Sequence, residues 1–153
     1  MQLQAGSFLK STAAPDDTVF SRVSILITAY GPAVDGAVGY ILDRPFGRSL
    51  RDLEEFRHAR PFPLYTGGPV DQEHLYFVHR RPDLVEGGTP AGNGLYVGGN
   101  FSQAVAAINA QQLSPRDLKL FVGYCGWDAG ELEAEIEEGS WTIVDGNADL
   151  VFA

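Results

Sequence analysis

Apolar residues in this chain fall in short runs of three to eight, most of them closed by glycine, proline or an Asp-Gly turn, so only short strands and short helices can form around its core. Residues 23–30, rich in β-branched side chains, predict a central strand. Gly31-Pro32 and Asp35-Gly36 then turn the chain into an antiparallel neighbour over 37–42, which Pro45 ends. Further strands are expected at 7–10, 62–65, 75–79, 94–97, 118–124, 141–144 and 150–152.

Three helices are predicted from capping signals. Ser49 with Asp52, followed by Leu50, Leu53 and Phe56, marks a short helix ending before Pro61. Asn100 with Gln103, and the spacing of Phe101, Val105 and Ile108, marks a second running to about Gln112. Asp128 with Glu131 opens a third to Glu138, terminated by Gly139. The glycine-rich stretch 86–94 reads as a mobile loop. Strands outnumber helices without a regular βαβ alternation, which predicts an α+β fold, and the 153 residues suit one compact domain.

The chain carries 20 Asp and Glu against 11 Lys and Arg, a net charge of -9, which argues against general affinity for nucleic acid or anionic membranes. No apolar run approaches the ~18 residues needed to span a bilayer. The first residues lack the charged and apolar regions of a signal peptide, so a cytoplasmic protein is expected. Charge is segregated: from 128 to 153 there are eight acidic residues and no Lys or Arg, whereas 44–81 holds seven arginines. On the predicted third helix, Glu135 and Glu138 lie on one face with Glu131, while Leu132 and Ile136 form an apolar seam. That acidic face is either matched internally by Arg44, Arg48, Arg51 or Arg57 or offered to a basic protein partner.

Chemistry-bearing residues are few. Cys125 is the only cysteine, so no intrachain disulfide and no four-thiolate zinc site can form. It precedes a predicted helix start, yet Asp128, Glu131 and Glu133 oppose thiolate formation there. His58, His74 and His79 have no tight metal-ligand spacing, and no nucleotide motif is present, so neither metal nor cofactor is expected. A Cys125 pairing with His79 or His74 and a carboxylate would form a hydrolase constellation, but no sequence signal brings them together. Gly67-Gly68-Pro69 suits either a chain reversal through positive φ or a backbone cradle for an anion. Trp127 and Trp141 flank the acidic helix and pack Ala129, Leu132 and Ile136 onto the sheet, or Trp127 lines a recognition groove beside Glu131.

Several motifs in order carry a resemblance: Gly36-Ala37-Val38-Gly39-Tyr40-Ile41-Leu42-Asp43-Arg44-Pro45, Gly67-Gly68-Pro69-Val70, His79, Gly123-Tyr124-Cys125-Gly126-Trp127 and Gly130-Glu131-Leu132-Glu133, with Asp17-Thr18-Val19-Phe20 upstream. Together they resemble the YqgE/AlgH family of bacterial proteins over nearly the whole chain. The resemblance implies a single α+β domain with a mixed, strongly curved or partly barrel-like sheet and flanking helices, and it implies no settled activity. The family has been labelled as transcriptional regulators, a label that does not come from an identified DNA-binding element. Here Asp43 stands for the family's usual Asn, Glu131 for its Gln and Cys125 for a small residue. The chain also stops where typical members continue with a further helical segment.

These readings favour a non-catalytic regulatory or protein-interaction module without specific DNA binding. The alternative is a small-ligand or anion-binding domain built from Arg44, Gly67, Gly68, His79, Cys125, Trp127 and Glu131, or an enzyme using Cys125. Glu135 and Glu138 are the candidate contacts to a basic partner.

Overall fold

The computed structural model describes residues 3–11 and 23–152, so 17–20 of the motif set lie outside it. The strands are β1 (Phe8–Ser11), β2 (Ser24–Gly31), β3 (Gly36–Ile41), β4 (Pro45–Ser49), β5 (Pro63–Thr66), β6 (Val70–His79), β7 (Thr89–Pro90), β8 (Tyr96–Val97), β9 (Leu118–Asp128) and β10 (Trp141–Val144). The α-helices are α1 (Phe101–Asn109), α2 (Glu131–Glu137) and α3 (Ala148–Phe152). The main sheet runs β10-β1-β2-β3-β9-β6-β8-β7, with β4 paired to β5 and β5 paired to β9. It is mixed, because β5 lies parallel to β9 while the other pairs are antiparallel, and it stays open rather than closing into a barrel.

Strand β9 organises both halves of the molecule. Along one edge it pairs first with β5 at Leu120–Val122 and then with β3 at 125–128, while β6 follows its opposite edge. Leu118, Leu120 and Val122 enter a core with Leu64, Phe77 and Ile108. Phe121 joins Leu26 and Tyr40, whereas Cys125 and Trp127 join Ile25, Ile27 and Leu132. Gly123, at φ +74°, lies between these segments. An irregular residue at this point changes which face of the sheet the following side chains occupy.

Several expected elements differ. The helix after Ser49 is two 3-10 turns, Leu50–Asp52 and Glu54–Phe56, although the reciprocal Ser49/Asp52 capping box is present. Leu53 at ψ 135° is extended and divides them. Pro45 opens β4 as well as ending the preceding run, and the stretch 86–94 contains β7. Strand β9 continues through Trp127 to Asp128, so α2 begins with Gly130 as its N-cap. Its far end is a Schellman closure: Gly139, φ +91°, donates to Ile136 O and Ser140 to Glu135 O.

Residues 150–152, expected as a strand, belong to α3. Asn147 Oδ1 accepts from Asp149 N at 3.0 Å, turning the chain into a helix before a strand partner can be met. That turn buries Val151 completely. No described helix is long and apolar enough to cross a membrane.

Candidate interaction groove

Two glycine motifs meet where β9 changes edge partner. Gly67 donates its N–H to Val122 O, and its own carbonyl accepts from Ile41 N, both at 2.8 Å, thereby joining β9 to β3. Neither Gly67 nor Gly68 has positive φ, so conformational freedom is not why they are glycine, contrary to the chain-reversal expectation. Space is the reason. A β-carbon on Gly67 would lie 2.4 Å from Gly123 O, and one on Gly68 2.2 Å from the Tyr124 carbonyl carbon. Cys125 closes the junction, its Sγ donating to Gly67 O at 3.4 Å, and burial pushes the thiol up to about 12. The motif residues Gly67, Gly68 and Cys125 therefore converge in a packed seam.

His79 lies at the other end of the strand pair, opposite Leu118, whereas Cys125 pairs with Gly39. Seven residues of β9 separate those levels, roughly 23 Å at the usual rise, so Cys125 and His79 cannot act on one atom. His79 is fully buried between the rings of Phe77 and Tyr96. Its Nδ1 accepts from Arg81 N at 3.1 Å, so the proton sits on Nε2 and is donated to Gly98 O at 3.2 Å. Burial holds its pKa below the ordinary imidazole value. Arg44 is half-buried at the entry to β4, where its carbonyl accepts from Thr66 N next to Gly67, at the Val122 level of β9 rather than the Leu118 level of His79.

The acidic helix is tied into the fold at one of its two candidate contacts. Glu135 Oε1 accepts from the indole N–H of both Trp141 (2.8 Å) and Trp127 (3.2 Å), so its carboxylate is already committed. Glu138 is exposed. Trp127 and Trp141 are buried with Leu132, and Ile136 packs against them, while Ala129 is exposed rather than part of the seam. Exposed Glu131 accepts from Asp128 N at 2.7 Å and serves the start of α2.

The glycine seam also shapes an open groove. Between Val70, opposite Tyr124, and Leu75, opposite Val122, strand β6 carries four unpaired residues, Asp71 to His74, as a bulge. A β-carbon on Gly123 would strike Gly68 O at 2.5 Å and Val70 O at 2.8 Å, so only glycine lets β9 pass this close beneath the bulge. Asp71, at φ +53°, holds the bulge from within. Its carboxylate accepts from Tyr76 Oη and from His74 Nδ1, the latter at 2.7 Å, and Gln72 Nε2 donates to Gly68 O at 3.0 Å. These bonds hold Asp71 below the usual carboxylate range, the Tyr76 bond first and the His74 bond second; the Asp71 hydrogen bond in turn raises His74.

Glu73 and His74 thereby form one rim of a groove of about 860 Å³. The opposite rim is Glu54 and Glu55 on the second 3-10 turn, all four being exposed. Its floor is Leu53, Phe56, Leu75, Phe77 and Phe101. The rings are braced: Phe101 meets Phe56 edge to face at 5.4 Å and Phe77 at 5.5 Å. Among the described lining residues three are glutamates and none is Lys or Arg. Sequence reasoning did not assemble this site; its traces were the Glu54-Glu55-Phe56 triplet and the Asp71/His74 spacing.

Lys119 was also missed, although a lone cation inside the apolar run 118–124 is a signal. It is 5% exposed, donates to Leu42 O at 2.6 Å and Val151 O at 2.9 Å, and lies 4.0 Å from the centre of the Tyr65 ring. Burial lowers its pKa to about 8. Its hydrogen bonds fasten α3 to β9.

Fold and groove together define an open-sheet α+β domain whose glycine-built seam supports an acidic, aromatic-floored surface. The AlgH-like family model, DUF179, matches residues 8–153, and the chain belongs to that family. A UPF0301 protein of Chlorobium luteolum is 36% identical over 99% of this chain and 79% of its own length. One from Chlorobaculum tepidum is 33% identical over 98% and 79%. The solution structure of the AlgH protein from Pseudomonas aeruginosa has a TM-score of 0.74 at 23% identity, covering 97% of this chain and 80% of its own. A crystal structure of a Corynebacterium diphtheriae protein gives 0.77 at 22% identity, with 100% and 81% covered. The two structural likenesses establish the fold alone.

Proposed function

We propose that this protein is a non-catalytic regulatory or protein-interaction module, and that its groove receives a basic segment of a partner protein carrying an apolar anchor. The groove's composition carries the reading: half-buried Leu53, Phe56, Leu75 and Phe101 beneath exposed Glu54, Glu55 and Glu73. Apolar floor residues supply burial, while the carboxylates select Lys or Arg flanks and speed association. Exposed Glu138 extends the acidic surface elsewhere on the molecule. A net charge of -9 weighs against a duplex DNA partner, and a cytoplasmic setting, where the lone thiol stays reduced, belongs to the same reading.

Fluorescence anisotropy with three labelled peptides of equal length tests it: a leucine-anchored lysine peptide, its Lys→Glu version, and a lysine peptide lacking apolar residues. The first should bind about tenfold more tightly than either of the others and weaken with salt. Replacing Glu54, Glu55 and Glu73 together by Gln should remove the preference for lysine. Equal binding of all three peptides, or a preference untouched by the triple replacement, rejects the reading.

A further inference from the structure

We propose that His74 grades the groove's hold on a basic segment with pH: protonated, its imidazolium competes with the segment's cation for the groove's carboxylates, and neutral, it leaves them free. This rests on the groove reading above. The geometry supplies both halves of the device. Nδ1 of His74 lies 2.7 Å from Asp71 Oδ1, a bond that favours this placement of the ring on the rim, and its side chain is 69% exposed. The Asp71 bond occupies Nδ1 and leaves Nε2 as the other ring nitrogen, on a residue that lines the groove with Glu54, Glu55 and Glu73.

The charged residues that line the groove with His74 are all carboxylates, and Tyr76, which donates to the same Asp71 carboxylate, is pushed up to about 12 and stays neutral. Asp71 and Glu73 come from its own strand, and Glu54 and Glu55 from the 3-10 turn across the groove. The other lining elements bring Gly99 and Phe101, which do not titrate. Asp71 favours the imidazolium and lifts His74 above its ordinary 6.5, with Glu73 adding to the effect, which moves the change of charge toward neutrality. Asp71 itself is held low and stays ionised through that range.

The sign follows from linkage. A bound cation disfavours the imidazolium, so binding releases a proton, and affinity rises as pH rises through the His74 transition. One exposed charge–charge contact corresponds to about a 3- to 5-fold change.

The test measures the dissociation constant of the leucine-anchored lysine peptide from pH 5.5 to 8.5 in the intact chain, alongside an NMR titration of the His74 ring. Wild type should tighten by about 3- to 5-fold, with the midpoint at the NMR-determined His74 pKa. In His74→Gln, a change in the rim itself that shifts affinity alike at every pH, the pH step should vanish. In Asp71→Asn, or in Glu73→Gln if that change disturbs the bulge, the step should move to lower pH. Persistence of the step in His74→Gln overturns the proposal while leaving the groove reading intact, as does pH-independent binding in wild type. Absence of peptide binding at every pH rejects the groove reading itself and the gate with it.

Discussion

The carbonyl oxygen of Gly68 lies 2.5 Å from where a β-carbon on Gly123 would stand, so the two glycine motifs of this chain are opposite sides of one contact. Gly123 also sits at φ +74°, where an L side chain is strained whatever the space. Gly123→Ala should therefore cost at least about 2 kcal/mol, read as a lower midpoint in urea unfolding. Because Gly123 passes beneath the Asp71–His74 bulge, the same variant should weaken binding of the lysine peptide. An unchanged midpoint would refute the account of the seam.

Cys125 should be inert in the native protein. Its thiol is 2% exposed and pushed up to about 12, so Ellman's reagent at pH 8 should label it only after denaturation. The raised value also fixes a sign: the thiol's contribution to stability is complete below its ordinary value of 9.0 and is lost as pH rises toward 12. Cys125→Ala should flatten that alkaline loss. Rapid labelling of the folded protein would contradict the assignment.

Lys119 has the opposite sign. With its pKa lowered from 10.5 to about 8, the unfolded chain binds the proton more tightly between those values, and this group makes stability rise across that window. Lys119→Met keeps the stem but leaves Leu42 O and Val151 O without their donor. It should destabilise by about 1 to 3 kcal/mol, and the deficit should widen from pH 8 to pH 10.5. Equilibrium melts at both pH values check it, and faster amide exchange in α3 should accompany the loss.

Two neighbouring glutamates should behave unlike each other. Glu135→Ala leaves two indole N–H groups without their acceptor, at a cost of about 2 to 4 kcal/mol and a change in tryptophan fluorescence. Exposed Glu138→Gln should stay within about 0.5 kcal/mol of wild type. Leu132→Ala, from a fully buried seam, should lose about 2 to 5 kcal/mol. Thermal melts of the three variants should rank them so; equal melting of both glutamate variants would remove the structural role of Glu135.

The strands at 23–30, 37–42, 118–124 and 141–144, the α1 cap at Asn100 and the Leu132/Ile136 seam were legible in sequence because each is decided by neighbours along the chain. Alternation, β-branching and capping act over four to eight residues. The resemblance to the AlgH-like family was legible too, through motifs whose glycines at 36, 67, 68 and 123 leave no room for a β-carbon.

Tertiary structure decided what depends on a distant partner. Lengthening β9 to Asp128 required β3 to lie beside it, and Gly67 is glycine because Gly123 O crosses its path. The end at 150–152 became α3 because Asn147 turns the chain and Lys119 donates to Val151 O. Glu135, read alone as a surface charge, is claimed by two indoles that only folding brings together. The groove belongs wholly to this second kind. The Glu54-Glu55 pair, Glu73 and Phe101 come from three separate stretches of sequence, and the bulge over the glycine seam sets Glu73 and His74 on the rim facing that pair. Local propensity carries no information about such contacts, because the energy that fixes them comes from packing across the sheet rather than along the chain.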